Sequence, residues 1–147
     1  MSNKSIHYIV NAVTLAPPKA SIAAVTSASF DREVGGGIGA PFEALELLLD
    51  AGAWTDGNHS WAIQDSPDNA TWTPVPAANL LGAGAATGGF AAINSAANQS
   101  ASQRCAYVGT QRYVRVVSTE TGTTGLVWGI VAIGGYPRDL PTVASGS

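Results

Sequence analysis

Charge is scarce in this sequence. Only 12% of its 147 residues are Asp, Glu, Lys or Arg, against about 25% in an average soluble domain. Seven Lys and Arg stand against ten Asp and Glu, for a formal net charge of −3, and the cations form no cluster. That excludes the basic stripe of a nucleic-acid binder. Cysteine is limited to Cys105, which excludes an internal disulfide framework and a cysteine-ligated zinc site. Long apolar runs are missing too. The longest, Leu126 to Tyr136, is interrupted by Gly129, Gly134 and Gly135, and it is about half of the roughly twenty residues that a membrane helix needs. The start, Met1 to Ser5, is polar and leads into alternating residues. It reads as no secretion signal, so a reducing compartment and no membrane partner are expected.

What is present is apolar enough to fold. Hydrophobic residues make up 46% of the chain, which excludes a disordered chain, and a chain of this size buries a core without staples. Residues 1–147 read as one domain, with 1–5 as a polar N-terminal arm and 137–147 as an extended tail. A surface rich in Ala, Gly, Ser and Thr with few charges is expected to be covered by partners, so a homo-oligomer or lattice component is expected.

Period-2 alternation dominates. Ile6 to Leu15 alternates with apolar residues on both faces, which predicts a strand covered on both sides. Pro17-Pro18 is expected to end it, since proline donates nothing to a ladder. Ala20 to Phe30 reads as a weaker strand, and Gly35 to Pro41 as a connector. Phe42 to Ala51 has helix propensity but also alternates. It reads as a strand because Trp54-Thr55-Asp56-Gly57 follows it as a hairpin turn, with Asp-Gly supplying positive φ. His59 to Asp65, Thr71 to Val75, Tyr107 to Gly109, Arg112 to Ser118 and Leu126 to Ile133 complete the strands. Ala77 to Ser102 reads as one long Ala/Gly-rich loop, with contact to a partner as its reason for existing. The prediction is an all-β, antiparallel β-sandwich.

No chemical motif is complete. Gly82, Gly84, Gly88 and Gly89 miss the dinucleotide spacing because Thr87 stands where glycine is needed, and no lysine follows. His7 and His59 read as structural residues, and Cys105 as a small buried thiol. Glu43 and Glu46 cannot share a strand face. Asp65 and Asp68, with Ser66 and Asn69, carry oxygen ligands suited to calcium, but turn capping explains the same residues. Trp54, Trp61, Trp72 and Trp128 suit either sugar stacking or a core, and the core is favoured. No catalytic residue, metal ligand or cofactor site is therefore assigned, and the chain is not expected to be an enzyme. Trp72, Tyr113 and Val114 are assigned to the structural core, with a Trp72→Ala cost of about 3–5 kcal/mol if the ring is buried.

Two stretches, Ala51 to Val75 and Gly109 to Val116, together with the closing Gly134-Gly135-Tyr136-Pro137-Arg138, resemble small structural proteins of tailed bacteriophages, among them capsid decoration (cement) proteins. The same pattern resembles discoidin-like, galactose-binding jelly rolls through Ser66, Asp68, Trp72, Arg112, Tyr113 and Arg115. The resemblance implies a jelly-roll-like sandwich on the capsid exterior of a virion, made in the host cytoplasm. It implies non-covalent contact with the major capsid protein and a homotrimer at a local three-fold axis. The N-terminal arm and the Ala77–Ser102 loop are the expected contact regions. The alternatives it leaves are a carbohydrate-binding module and another head–tail component.

Overall fold

A computed structural model describes residues 10–34 and 42–137. The expected arm at 1–5, His7, the glycine-rich connector and residues 138–147 of the tail lie outside that range. Among the described residues ten strands form: β1 (Val10–Ser21), β2 (Phe30–Asp31), β3 (Phe42–Ala51), β4 (His59–Ser66), β5 (Thr73–Pro74), β6 (Leu80–Gly82), β7 (Gly89–Ile93), β8 (Ser102–Tyr107), β9 (Tyr113–Glu120) and β10 (Leu126–Pro137).

They build two antiparallel sheets, as alternation predicts. The first has the order β1-β10-β3-β8-β6; the second has β2-β9-β4-β5, with β7 also on β4. The first strand lies beside the last, and the second beside the last but one. Apart from β4 to β5, every step along the chain changes sheet. That is the winding of a jelly roll.

This winding corrects the turn at Trp54–Gly57. The turn has the expected positive φ, +80° at Gly57, but β3 and β4 lie in different sheets. It is an arch over the end of the sandwich, not a hairpin. Glycine is required there for a second reason: a Cβ on Gly57 would sit 2.0 Å from the Thr121 carbonyl oxygen. Other expectations change as well. No strand runs from Ala20 to Phe30: β1 ends at Ser21, Thr26 makes a single bridge to Val117, and β2 begins at Phe30. Pro17-Pro18 does not end β1, which runs on to Ser21 with register shifts between Thr14 and Ala16 and between Ala16 and Lys19. β1 is an edge strand, where proline's missing donor can face outward. The stretch 77–102 is also no structureless loop. It holds β6, β7 and two 3-10 turns, Ala77–Asn79 and Ala85–Thr87.

The core lies between the sheets. Leu45, Leu47 and Leu49 of β3 face Ile63 of β4 and Val114 and Val116 of β9, all essentially buried. Trp61 and Trp128, one from each sheet, meet edge-on at 5.7 Å between ring centroids. Gly134 is bare because a Cβ there would stand 2.8 Å from the Phe42 ring and 3.0 Å from Phe30.

Candidate functional site

Period 2 sorts β9 into two faces. Val114 and Val116 turn inward, so Tyr113 and Arg115 turn out. Arg112, just before the strand, lays its guanidinium 4.9 Å from the Tyr113 ring centroid. The same group donates through Nε and Nη2 to both carboxylate oxygens of Asp31, at 2.9 and 2.8 Å. That bidentate bond is the main reason the Asp31 carboxyl is held below its usual range. Two residues on, the Arg115 guanidinium lies 4.2 Å from the Trp72 ring centroid, and its Nε donates to Gln64 Oε1 at 2.9 Å. Two arginines over two aromatic rings thus form a strip on the outer face of the second sheet.

Of the three residues assigned to the core, Val114 lies in it, fully buried. Trp72 and Tyr113 are half-buried and belong to the outer strip. The cause is alternation. Tyr113 cannot share the inward face with Val114, and Val75, not Trp72, carries its segment into the core. Trp54 is likewise only partly buried, so the core reading holds for Trp61 and Trp128 alone.

The turn between β4 and β5 leads into Trp72. Asp68 accepts from the Ala70 and Thr71 amides at 2.9 and 2.7 Å and from the Ser66 hydroxyl at 2.9 Å. These donors, the Thr71 amide first, hold its pKa down at about 2. Asp65 points the other way, accepting from the Tyr107 hydroxyl at 2.7 Å and from Thr73 at 3.2 Å. The two carboxylates therefore face different partners, and turn capping accounts for Asp68. Among the described residues, no three His, Cys, Asp or Glu side chains gather in a metal-binding group.

The ends of the sandwich hold two inner networks that sequence reasoning missed. At one end Arg32, 6% exposed, lies 5.4 Å from the centroid of the Tyr107 ring. It donates to the carbonyls of Gly109, Gln111 and Glu43 at 3.2, 2.8 and 2.8 Å. Burial, first, and the bond to Asp65 push the Tyr107 hydroxyl well above the usual tyrosine range. An open cavity of about 540 Å³ adjoins Arg32, Glu43, Tyr107 and Thr110. At the other end the buried His59 ring stands between the Glu120 carboxylate and the Asp56 carbonyl oxygen. A carbonyl only accepts, so Nε2 carries a hydrogen. Trp128 donates to the second Glu120 oxygen at 2.9 Å.

The contacts that define these networks, Arg32 to Gly109 and Gln111, Tyr107 to Asp65 and His59 to Glu120, join residues 42 to 79 positions apart, so no local motif announces them. One signal was available. Trp61 and Ile63 share the inward face of β4, and the same period puts His59 and Asp65 there, where a polar group must find a partner.

Both His59 ring nitrogens are thus engaged, and the neighbouring Ser60 lies on the other face of β4. Cys105 is buried in β8, and burial raises its thiol pKa. The geometry instead offers recognition. Arginine, tyrosine and tryptophan are the side chains enriched at protein interfaces.

No protein-family model matches the chain, and no curated protein matches it. A solved structure does. The chain is similar in fold to the PBSX exported protein XepA. The TM-score is 0.50 at 16% sequence identity, over 88% of this chain and 39% of XepA. The chain therefore spans well under half the length of that protein, and the likeness is one of fold.

Proposed function

We propose that this chain is a structural protein of a bacteriophage particle that binds the capsid lattice non-covalently through the major capsid protein. The observation that carries the proposal is the jelly-roll sandwich shared with XepA, a phage-related protein. The sparse charge and the arginine–aromatic strip support it. A cement protein performs no reaction; it holds neighbouring subunits by burying surface across their seams. Permanent contacts of this kind bury about 2,000–5,000 Å² in total. The strip supplies anchors whose guanidinium groups are already laid against rings, so little side-chain freedom is lost on docking. Repetition over a closed shell then multiplies modest single contacts.

The test is to band particles from a lysate of phage-producing cells on a density gradient and count this chain by mass spectrometry. Co-migration with full heads, at a copy number close to that of the capsid protein, is the expected result. A handful of copies per particle makes it a tail or connector part. A chain that stays at the top of the gradient overturns the virion reading.

A second reading has one observation in its favour. Trp72 lies outside the core, with Arg115 against its ring, where a stacked sugar would have to displace or share the guanidinium. Glycan-induced quenching of Trp72 fluorescence, absent in Trp72→Ser, is what a carbohydrate-binding module would give.

A further inference from the structure

We infer that the outer face of the first sheet is a contact between two copies of this chain. Three of the four sheet edges are blunted, and the fourth, beyond β4, is shared by β5 and the five-residue β7. β1 carries Pro17, Pro18 and Lys19 at its register shifts, β2 and β5 have two residues each, and β6 has three. Short or proline-bearing edges resist edge-to-edge pairing, which favours association through a face or an end.

The face is unusually apolar for one turned to solvent. Register places Ile133, Glu46, Ala106 and Leu81 side by side across β10, β3, β8 and β6. The next row along the strands holds Val131, Leu48 and Arg104. Leu81 is 61% exposed, and Leu48, Val131 and Ile133 are half-buried. An antiparallel sheet with one wet face normally alternates apolar inward with polar outward; here Leu48, Leu81, Val131 and Ile133 stand outward among Glu46, Asp50 and Arg104.

The charges on this face choose the occupant. Arg104 lies 3.6 Å from Glu46 in an exposed pair, and Asp50 lies on the same side of β3. The face thus holds both halves of an ion pair and is complementary to itself. A two-fold axis along the seam between β3 and β8 sets Arg104 of each copy over β3 of the other, between Glu46 and Asp50. The same axis sets Leu81 over Ile133 of the second copy, apolar on apolar. Five strands about 4.8 Å apart, over some five residues each, give roughly 400–500 Å² per copy. The total, about 800–1,000 Å², is at or just below the lower bound of specific interfaces, the size range of weak and transient pairs. The contact is two-fold, and so differs from the three-fold grouping that the resemblance to cement proteins implies. It does not depend on the virion reading.

The experiment is light scattering on the full chain during size-exclusion chromatography, from about 1 to 200 µM, a span that brackets a micromolar equilibrium. A mass rising from one chain to two is expected. Leu81→Lys and Arg104→Glu are each expected to weaken the dimer at least tenfold. The double exchange Glu46→Arg with Arg104→Glu should recover part of it, because the pairs between Arg104 and Glu46 reverse together while Asp50 stays acidic. Trp72→Ser, on the opposite sheet, should leave the dimer unchanged. Circular dichroism checks that each variant is folded, and Arg104→Glu serves if Leu81→Lys is not. A monomer throughout, a trimer mass, or a dimer indifferent to both Leu81→Lys and Arg104→Glu overturns the proposal. None of these outcomes decides whether the chain is found in virions, and absence from virions would leave the dimer measurement standing.

Discussion

Asp68 illustrates how much a single exposed carboxylate can organise. Two amides and a hydroxyl converge on one of its oxygens, and its pKa falls from 3.8 to about 2. A group whose pKa is lower in the folded state favours folding at pH values above its unfolded pKa. That contribution is complete above about pH 5 and drains away as pH falls through 3.8 toward 2. A carbon-detected NMR titration is expected to find the Asp68 carboxyl still ionised at pH 3, where an ordinary aspartate is mostly protonated. A midpoint near 3.8 would mean that the turn does not hold in solution. The tryptophans offer a second contrast. Trp61 is 2% exposed and meets Trp128, so Trp61→Ala should cost about 3–5 kcal/mol in urea melts. Trp72 loses only a half-buried ring and one cation–π contact, so Trp72→Ala should cost about 1–2 kcal/mol. Equal costs would place Trp72 in the core after all.

The elements are tied together by arches. Asp56, in the arch between β3 and β4, reaches across to the arch between β9 and β10. Its carboxylate accepts from the Thr123 amide and hydroxyl at 2.8 and 2.7 Å and from the Thr124 amide at 3.0 Å. The Thr123 amide bond is the chief cause of its lowered pKa. Gly57 makes the approach possible. Gly57→Ala adds an unfavourable left-handed φ and a methyl carbon in collision with a carbonyl, and is expected to cost at least about 2 kcal/mol in chemical denaturation. A neutral result would show the two arches moving apart freely. The same arch marks the limit of sequence reading. Asp56-Gly57 announces a reversal with positive φ, and Leu45, Leu47 and Leu49 announce a strand with one buried face. Neither says which sheet the next strand joins, because that is decided by packing between residues far apart in sequence. Pro17-Pro18 misled for a related reason. Proline is barred from a central ladder, and whether a strand is central or at an edge is a property of the assembled sheet. The outer strip was legible as residue types, through Trp72, Arg112, Tyr113 and Arg115, but its side of the sheet was not read. Val114 and Val116 carried that information, since two valines two apart claim the inward face and leave Tyr113 and Arg115 outside.

At the scale of the molecule, the two outer faces are chemically different. The second sheet presents guanidinium groups locked onto rings and hydrogen-bonded to Asp31 and Gln64. The first presents Leu48, Leu81, Val131 and Ile133 around an exposed ion pair. On the proposed virion role, such a division would give one surface to a second copy and another to the lattice, because a single surface would make the two contacts compete. The division has a thermodynamic signature. If copies associate when folded and not when unfolded, dilution lowers stability by mass action. A tenfold dilution of a dimer costs about 1.4 kcal/mol per pair, or about 0.7 per chain. For a chain of this size that moves Tm by roughly 2 °C. The wild-type Tm is therefore expected to fall by about 2 °C per tenfold dilution while the dimer persists. Leu81→Lys, whose dimer is expected to be at least tenfold weaker, should lose this dependence at a concentration at least tenfold higher than the wild type does. A wild-type Tm independent of concentration would mean that the apolar face stays wet in the free protein.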